Sequence, residues 1–105
     1  MTIGQVQRIA LFPFVLSFGL SLAAQTDGAA MYKAKCAMCH GPTGTPSAGM
    51  AKAMGIKAIS DPSMKALTIT QIIATVKNGK GKMKPLSGLT DSQIEAIAVY
   101  FKSLK

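Results

Sequence analysis

A length of 105 residues predicts a single domain, and two cysteines are too few for a disulfide framework. The formal net charge of +8 favours acidic partner proteins or anionic membrane surfaces. Composition argues against nucleic acid as a partner, because eleven lysines and no arginine follow position 24 and the basic residues are not interleaved with aromatic ones.

The first 24 residues have the composition of a secretory signal peptide. Arg8 is their only charged side chain, and an apolar run follows from Ile9 to Ala24. Ser21 and Ala23 are small enough for the −3 and −1 positions of a signal peptidase site. An uncleaved anchor is the alternative, but this run is interrupted by a proline and is shorter than the about 20 residues of a membrane span. We therefore predict export to the periplasm or another extracytoplasmic compartment, without stable membrane insertion after cleavage.

Residues 25–105 form the second predicted unit, a single domain that is too small to bury a large core. Domains of this size often depend on a disulfide, a metal or another staple. A covalently held, flat and apolar cofactor would supply the additional core.

Asp27 is a favourable N-cap for the first predicted helix. The helix should end just after His40, because Gly41 suits the position that follows a helix and Pro42 cannot continue one. Its apolar residues recur at helical spacing, at Ala30, Met31, Ala34, Ala37 and Met38.

The last turn of this helix contains the pentapeptide Cys-Ala-Met-Cys-His over residues 36–40. This spacing is the attachment signature of a c-type haem, in which Cys36 and Cys39 bond to the vinyl groups and His40 reaches the iron. A thioredoxin-like dithiol requires a βαβ context, and a zinc site requires about four ligands, whereas the chain has no other cysteine or histidine. We therefore predict one covalently attached haem c, with a haem-free dithiol oxidoreductase as an alternative.

Capping boxes predict two further helices. Thr68 with Gln71, and Thr90 with Gln93, have the spacing at which the side chains cap each other's backbone amides, and apolar residues follow each pair at helical spacing. A short additional helix is predicted from Pro62. Turn-forming residues predict loops over residues 41–49 and 79–88. No alternating strand pattern is present, so the predicted class is all-α.

Haem iron requires a second axial ligand, and methionine is the remaining candidate because the chain has one histidine. Met83 lies between lysines in a polar, glycine-rich loop, where an apolar side chain has no evident packing role. Met64 is the second candidate. Met31 and Met38 share the predicted helix of His40, so they cannot easily reach the opposite face of the haem. Met50 and Met54 are expected to pack in the core.

Three segments of the domain resemble the class I, monohaem cytochrome c family. Residues 27–41 carry the haem signature, residues 78–85 resemble the axial-methionine loop of that family, and residues 89–104 resemble its C-terminal helix. The resemblance implies a cytochrome c-like fold of three to five short helices wrapped around one haem. It also implies that the first and last helices cross at Gly28 and Tyr100.

The chain departs from the family pattern at one position and leaves a second unassigned. Lys84 separates Met83 from Pro85, where the family often has proline directly after the methionine. In the family a proline carbonyl commonly accepts a hydrogen bond from the second nitrogen of the axial histidine, and Pro42 and Pro46 are both candidates here.

These features predict a one-electron carrier that cycles between Fe(II) and Fe(III) and is not an enzyme. Ligation by both His40 and Met83 would leave no open position on the iron. A labile Met83 would instead indicate a five-coordinate haem sensor or a catalytic haem domain. Four lysines lie near the proposed ligand in the sequence, namely Lys77, Lys80, Lys82 and Lys84. They predict either a docking surface for an acidic redox partner or an ordinary solvated loop.

Overall fold

The computed structural model describes residue 13 and residues 27–105 of the chain, so the predicted signal peptide lies outside the described residues except for its proline. The described part contains six helices and no strand, and the all-α prediction is confirmed. The helices are α1 (Gly28–Lys35), α2 (Ala37–His40), α3 (Ala48–Met54), α4 (Pro62–Lys65), α5 (Ile69–Asn78) and α6 (Asp91–Ser103).

The predicted helix starts are confirmed. Thr68 and Thr90 each form a complete capping box, with hydrogen bonds of 2.8 to 3.2 Å to and from the glutamine three residues later. The carboxylate of Asp27 accepts from the amides of Ala29 and Ala30 at 3.0 and 3.2 Å. Each cap satisfies amides that have no partner inside the helix, which fixes where the chain turns helical.

The first predicted helix is divided in two at Cys36, which has φ −116° and ψ −33°. Its amide still donates to the carbonyl of Tyr32 at 2.8 Å, and the amide of His40 donates to the carbonyl of Cys36 at 2.9 Å. The predicted end at Gly41 is confirmed: φ is +80°, and a β-carbon there would overlap the carbonyl of Thr45. The haem signature therefore occupies its own helical turn.

Helices α1 and α6 cross at Gly28, as the family resemblance implies. A β-carbon at Gly28 would overlap the carbonyl oxygen of Ala96, so only glycine permits this approach of the two backbones. Close by, the ring of Tyr32 lies 5.4 Å from that of Tyr100 and 5.9 Å from that of Phe101, measured between centroids. The crossing thus connects the helix before the haem signature to the C-terminal helix.

Helix α3 was not predicted and occupies part of the expected loop over residues 41–49. It begins after Ser47, whose hydroxyl accepts from the amide of Met50 at 3.2 Å, and ends at Gly55 in the left-handed conformation. This helix and the division at Cys36 raise the number of helices above the three to five expected. The segments before and after α3 are joined by a hydrogen bond of 2.9 Å from the amide of Ile59 to the carbonyl of Gly44.

Within residues 27–105, eight hydrophobic side chains are buried and form the core, most of them on α5 and α6. They are Tyr32, Ile59, Ile72, Val76, Ile94, Ile97, Ala98 and Phe101. Within residues 27–105, no helix is long and apolar enough to cross a membrane.

Candidate functional site

A cavity of about 770 Å³ is lined by residues of all six helices, of the chain after α3 and of the loop over residues 79–88. Its volume is within the about 300–1,000 Å³ typical of small-molecule and cofactor sites. All four predicted site residues line it: Cys36, Cys39, His40 and Met83. Five of the eight core side chains line it as well, so more than half of the core also forms part of the cavity wall.

The two thiols are half-buried and are not joined by a disulfide. Burial, together with the neighbouring Cys39, raises the pKa of the Cys36 thiol to about 11. Dithiol oxidoreductases depend on a thiol with a lowered pKa, since the thiolate is the nucleophile. The environment of Cys36 therefore argues against a haem-free dithiol enzyme.

His40 is held at the end of α2 with one edge against α6. Its ring lies 5.5 Å from that of Phe101 between centroids, with the planes at 67°. Burial lowers the pKa of His40, which favours the neutral imidazole that can ligate a metal. Nδ1 is buried and has no hydrogen-bond partner within residues 27–105, so the carbonyls of Pro42 and Pro46 do not accept from it.

Tyr32 supports the same turn through a contact that the sequence did not reveal. Its buried hydroxyl donates to the carbonyl of Gly41 at 2.7 Å, directly after His40. Burial is the main cause that raises the pKa of Tyr32 to about 12, so the hydroxyl stays a donor at physiological pH. Tyr32 thereby ties the end of the haem signature to α1.

Met83 is placed by a tight turn. The amide of Lys80 donates to the carbonyl of Met83, and the amide of Met83 donates to the carbonyl of Lys80, both at 2.9 Å. Gly79 has φ +74°, and a β-carbon there would come within 2.7 Å of the carbonyl oxygen of Met83. The turn therefore requires glycine at this position and brings the half-buried Met83 to the cavity wall.

Of the methionines in residues 27–105, three line the cavity, namely Met54, Met64 and Met83. Met31, Met38 and Met50 do not line it, and Met38 is 86% exposed. The expectation that Met83 has no packing role is wrong, because both it and Met64 pack against the core cluster.

Three of the four lysines that the sequence places near Met83 line the cavity, namely Lys80, Lys82 and Lys84. Lys77 does not line the cavity, and its ammonium group pairs with the carboxylate of Asp91 at 2.8 Å. Lys82 lines it, but its Nζ donates to the backbone carbonyl of Ala53 at 2.8 Å. The other lysines that line the cavity are Lys35, Lys57, Lys80 and Lys84.

The residues present fit a haem rather than a bare metal ion. Nowhere in the described part of the chain do three or more histidine, cysteine, aspartate or glutamate residues converge as a metal-binding group. The cavity instead combines an apolar wall with two thiols, one neutral imidazole and thioether sulfurs, which is the donor set of a c-type haem site.

Comparisons with known proteins agree with this fit. A family model described as "Cytochrome C oxidase, cbb3-type, subunit III" matches residues 23–101. Cytochrome c6 of Leptolyngbya boryana is 36% identical over 77 residues, covering 70% of this chain and 84% of that protein. Cytochrome c6 of Nostoc sp. (strain PCC 7120 / SAG 25.82 / UTEX 2576) is 35% identical over 96 residues, covering 88% and 81%.

A solved structure shares the fold. The KustC0563 c-type cytochrome superimposes with a TM-score of 0.67 at 26% identity, covering 75% of this chain and 98% of that one. Sequence and structure thus agree on one family. The chain belongs to the small monohaem cytochrome c family and is a c-type electron carrier with one covalently bound haem.

Proposed function

We propose that this protein is an exported one-electron carrier and not an enzyme. In this proposal Cys36 and Cys39 bind the haem covalently, and His40 and Met83 are its axial ligands. The observation that carries the proposal is that these four side chains line one largely apolar cavity of about 770 Å³. Export rests on the predicted signal peptide over residues 1–24, which would deliver the thiols to the compartment where such haems are attached.

When bound, haem c supplies one-electron exchange between Fe(II) and Fe(III). Cys36, directly before α2, and Cys39, within α2, would hold the cofactor covalently, so that it would not dissociate between encounters with partners. His40, kept neutral by burial, presents a nitrogen lone pair, and Met83 presents a sulfur, a combination that raises the reduction potential. Apolar side chains exclude water from the cavity wall, chiefly Ile72, Val76 and Ile97.

The visible spectrum of the purified protein tests this assignment. We expect low-spin haem bands together with a sulfur-to-iron charge-transfer band in the oxidised protein, since a thioether and an imidazole would fill both axial positions. High-spin bands would indicate an open position and favour a sensor or a catalytic haem domain. A chain purified from cells with cytochrome c maturation machinery but without haem absorption would favour the dithiol.

We further propose that an acidic redox partner docks at the mouth of the cavity. Lys35, Lys57, Lys80 and Lys84, here called the mouth lysines, line the cavity and are exposed. None of them forms an ion pair within residues 27–105, and only Lys57 donates a side-chain hydrogen bond there, to the hydroxyl of Ser63 at 3.4 Å. Lys77 is paired with Asp91 and lies outside the cavity, so it is not included. A cluster of unpaired ammonium groups favours fast, transient encounters with an acidic surface.

The rate of electron transfer to an acidic partner should therefore fall as ionic strength rises. Lys80→Gln should lower this rate at low salt by about two- to fivefold, because it removes one steering charge at the mouth. Lys33→Gln is the matched control, since Lys33 is exposed on α1 and does not line the cavity. Stopped-flow measurements of the electron-transfer rate of both variants and the unmodified protein, over a range of salt concentrations, test this prediction. A flat profile, or equal effects of the two variants, would remove the case for steering.

A further inference from the structure

We propose that Lys82 is a positioning residue that fastens the methionine loop, residues 79–88, to the C-terminal end of α3. The fastening gives the loop that carries Met83 an attachment besides its hydrogen bonds to α5. The consequence for the iron rests on the proposed ligand role of Met83, whereas the fastening itself does not.

The contact joins two segments that are 29 residues apart in the sequence. Nζ of Lys82 donates to the backbone carbonyl of Ala53 at 2.8 Å. Ala53 lies in the last turn of α3, where carbonyl oxygens have no amide partner further along the helix. The partial negative charge at a helix C-terminus attracts a cation, so an ammonium group is well suited to this position.

The loop is attached differently on its two sides. On the α5 side, the amide of Gly79 donates to the carbonyl of Thr75 at 2.8 Å, and the amide of Leu86 donates to the carbonyl of Val76 at 3.0 Å. On the α3 side, the Lys82 contact is the one hydrogen bond between residues 79–88 and α3, both of which the structure describes completely. Loss of this contact would free the α3 side and leave the α5 side attached.

Charge alone does not distinguish Lys82 from its neighbours. Lys80 and Lys84 carry the same charge, belong to the same loop and line the same cavity. Neither side chain donates a hydrogen bond to any residue between 27 and 105, whereas that of Lys82 does. The positioning role therefore depends on where the ammonium group is bound, and Lys84 offers a matched control.

Two measurements on the haem-loaded protein test the proposal. The first is the NMR shift of the Met54 amide, which shares its peptide group with the carbonyl of Ala53. The second is the rate at which imidazole, added as an external iron ligand, binds to the oxidised protein, because binding requires the loop to open. Lys82→Leu, which removes the ammonium group without adding a second sulfur beside Met83, should move the Met54 resonance and raise the imidazole rate about fivefold, in line with the net strength of one hydrogen bond.

Lys84→Leu should leave both measurements close to those of the unmodified protein, and Lys82→Arg should preserve most of the loop closure. An unchanged Met54 resonance in Lys82→Leu would overturn the fastening. Equal imidazole rates in Lys82→Leu and Lys84→Leu would overturn the positioning role. If the unmodified protein lacks the charge-transfer band, the ligand assignment of Met83 fails, while the Met54 shift still decides whether Lys82 fastens the loop.

Discussion

Replacement of both Cys36 and Cys39 by alanine should leave a largely unfolded chain that carries no covalent haem. The described domain buries only eight hydrophobic side chains, and five of these face the cavity between the helices. A domain this small has little stability beyond its core, so the surface that a covalent cofactor contributes is a large share of the total. Without the two thioether bonds, no haem would stay packed against the apolar wall of the cavity.

Far-UV circular dichroism and visible absorption of the purified double variant, produced with cytochrome c maturation machinery, measure this effect. The control is Met38→Ala, because Met38 stands between the two thiols but is 86% exposed. We expect that control to keep its haem, its helical signal and its melting temperature. A cooperative thermal melt of the double variant without bound haem would show that the helices fold on their own.

The helix starts were predictable because each depends on residues that are adjacent in sequence. Thr68 with Gln71, and Thr90 with Gln93, satisfy each other's backbone amides within one turn, whatever the rest of the fold does. Pro62 likewise begins α4 at the position where proline is best tolerated. Local chemistry of this kind can be read directly from the sequence.

Helix α3 was not predicted from the sequence. Its residues, Ala-Gly-Met-Ala-Lys-Ala-Met, show no clear apolar stripe at helical spacing, and they follow a segment rich in glycine and proline. Its N-cap, Ser47, was present but stood among other turn-forming residues. The division of the first helix at Cys36 was also missed, since no glycine or proline marks it.

The residues proposed to bind the haem were predicted from the sequence, but the hydrogen bonds that hold them in place were not. The spacing of Cys36, Cys39 and His40 identified the attachment turn, because these are the only cysteines and histidine in the chain. The hydrogen bond from Tyr32 to Gly41 and the one from Lys82 to Ala53 join residues that are 9 and 29 positions apart. No pattern in the sequence pairs such residues, so only the folded structure reveals them.

The assignment of Met83 rather than Met64 as the sulfur ligand needs a direct test, because both side chains line the cavity and both pack against the core. Met64 belongs to α4, which is tied to α6 where Nζ of Lys102 donates to the carbonyl of Lys65 at 3.1 Å. Met83 belongs to a glycine-containing loop, in a turn that is closed by two hydrogen bonds between Lys80 and Met83. The loop composition and its order after the haem signature favour Met83.

Met83→Leu should abolish the sulfur-to-iron charge-transfer band and lower the reduction potential, by on the order of 0.1 V or more, because axial ligands set haem potentials over a wide range. Leucine keeps the apolar volume of the side chain, so the packing of the loop should change little. Visible spectroscopy and potentiometric titration of the purified variant provide the two measurements.

Met64→Leu and Met54→Leu are the matched controls, since both residues line the same cavity and undergo the same change. Each should retain the band and a potential close to that of the unmodified protein. If Met64→Leu loses the band while Met83→Leu keeps it, the ligand is Met64, and the resemblance of residues 78–85 to an axial-methionine loop has misled the assignment. Retention of the band in all three variants would mean that the sulfur comes from a residue outside this cavity wall.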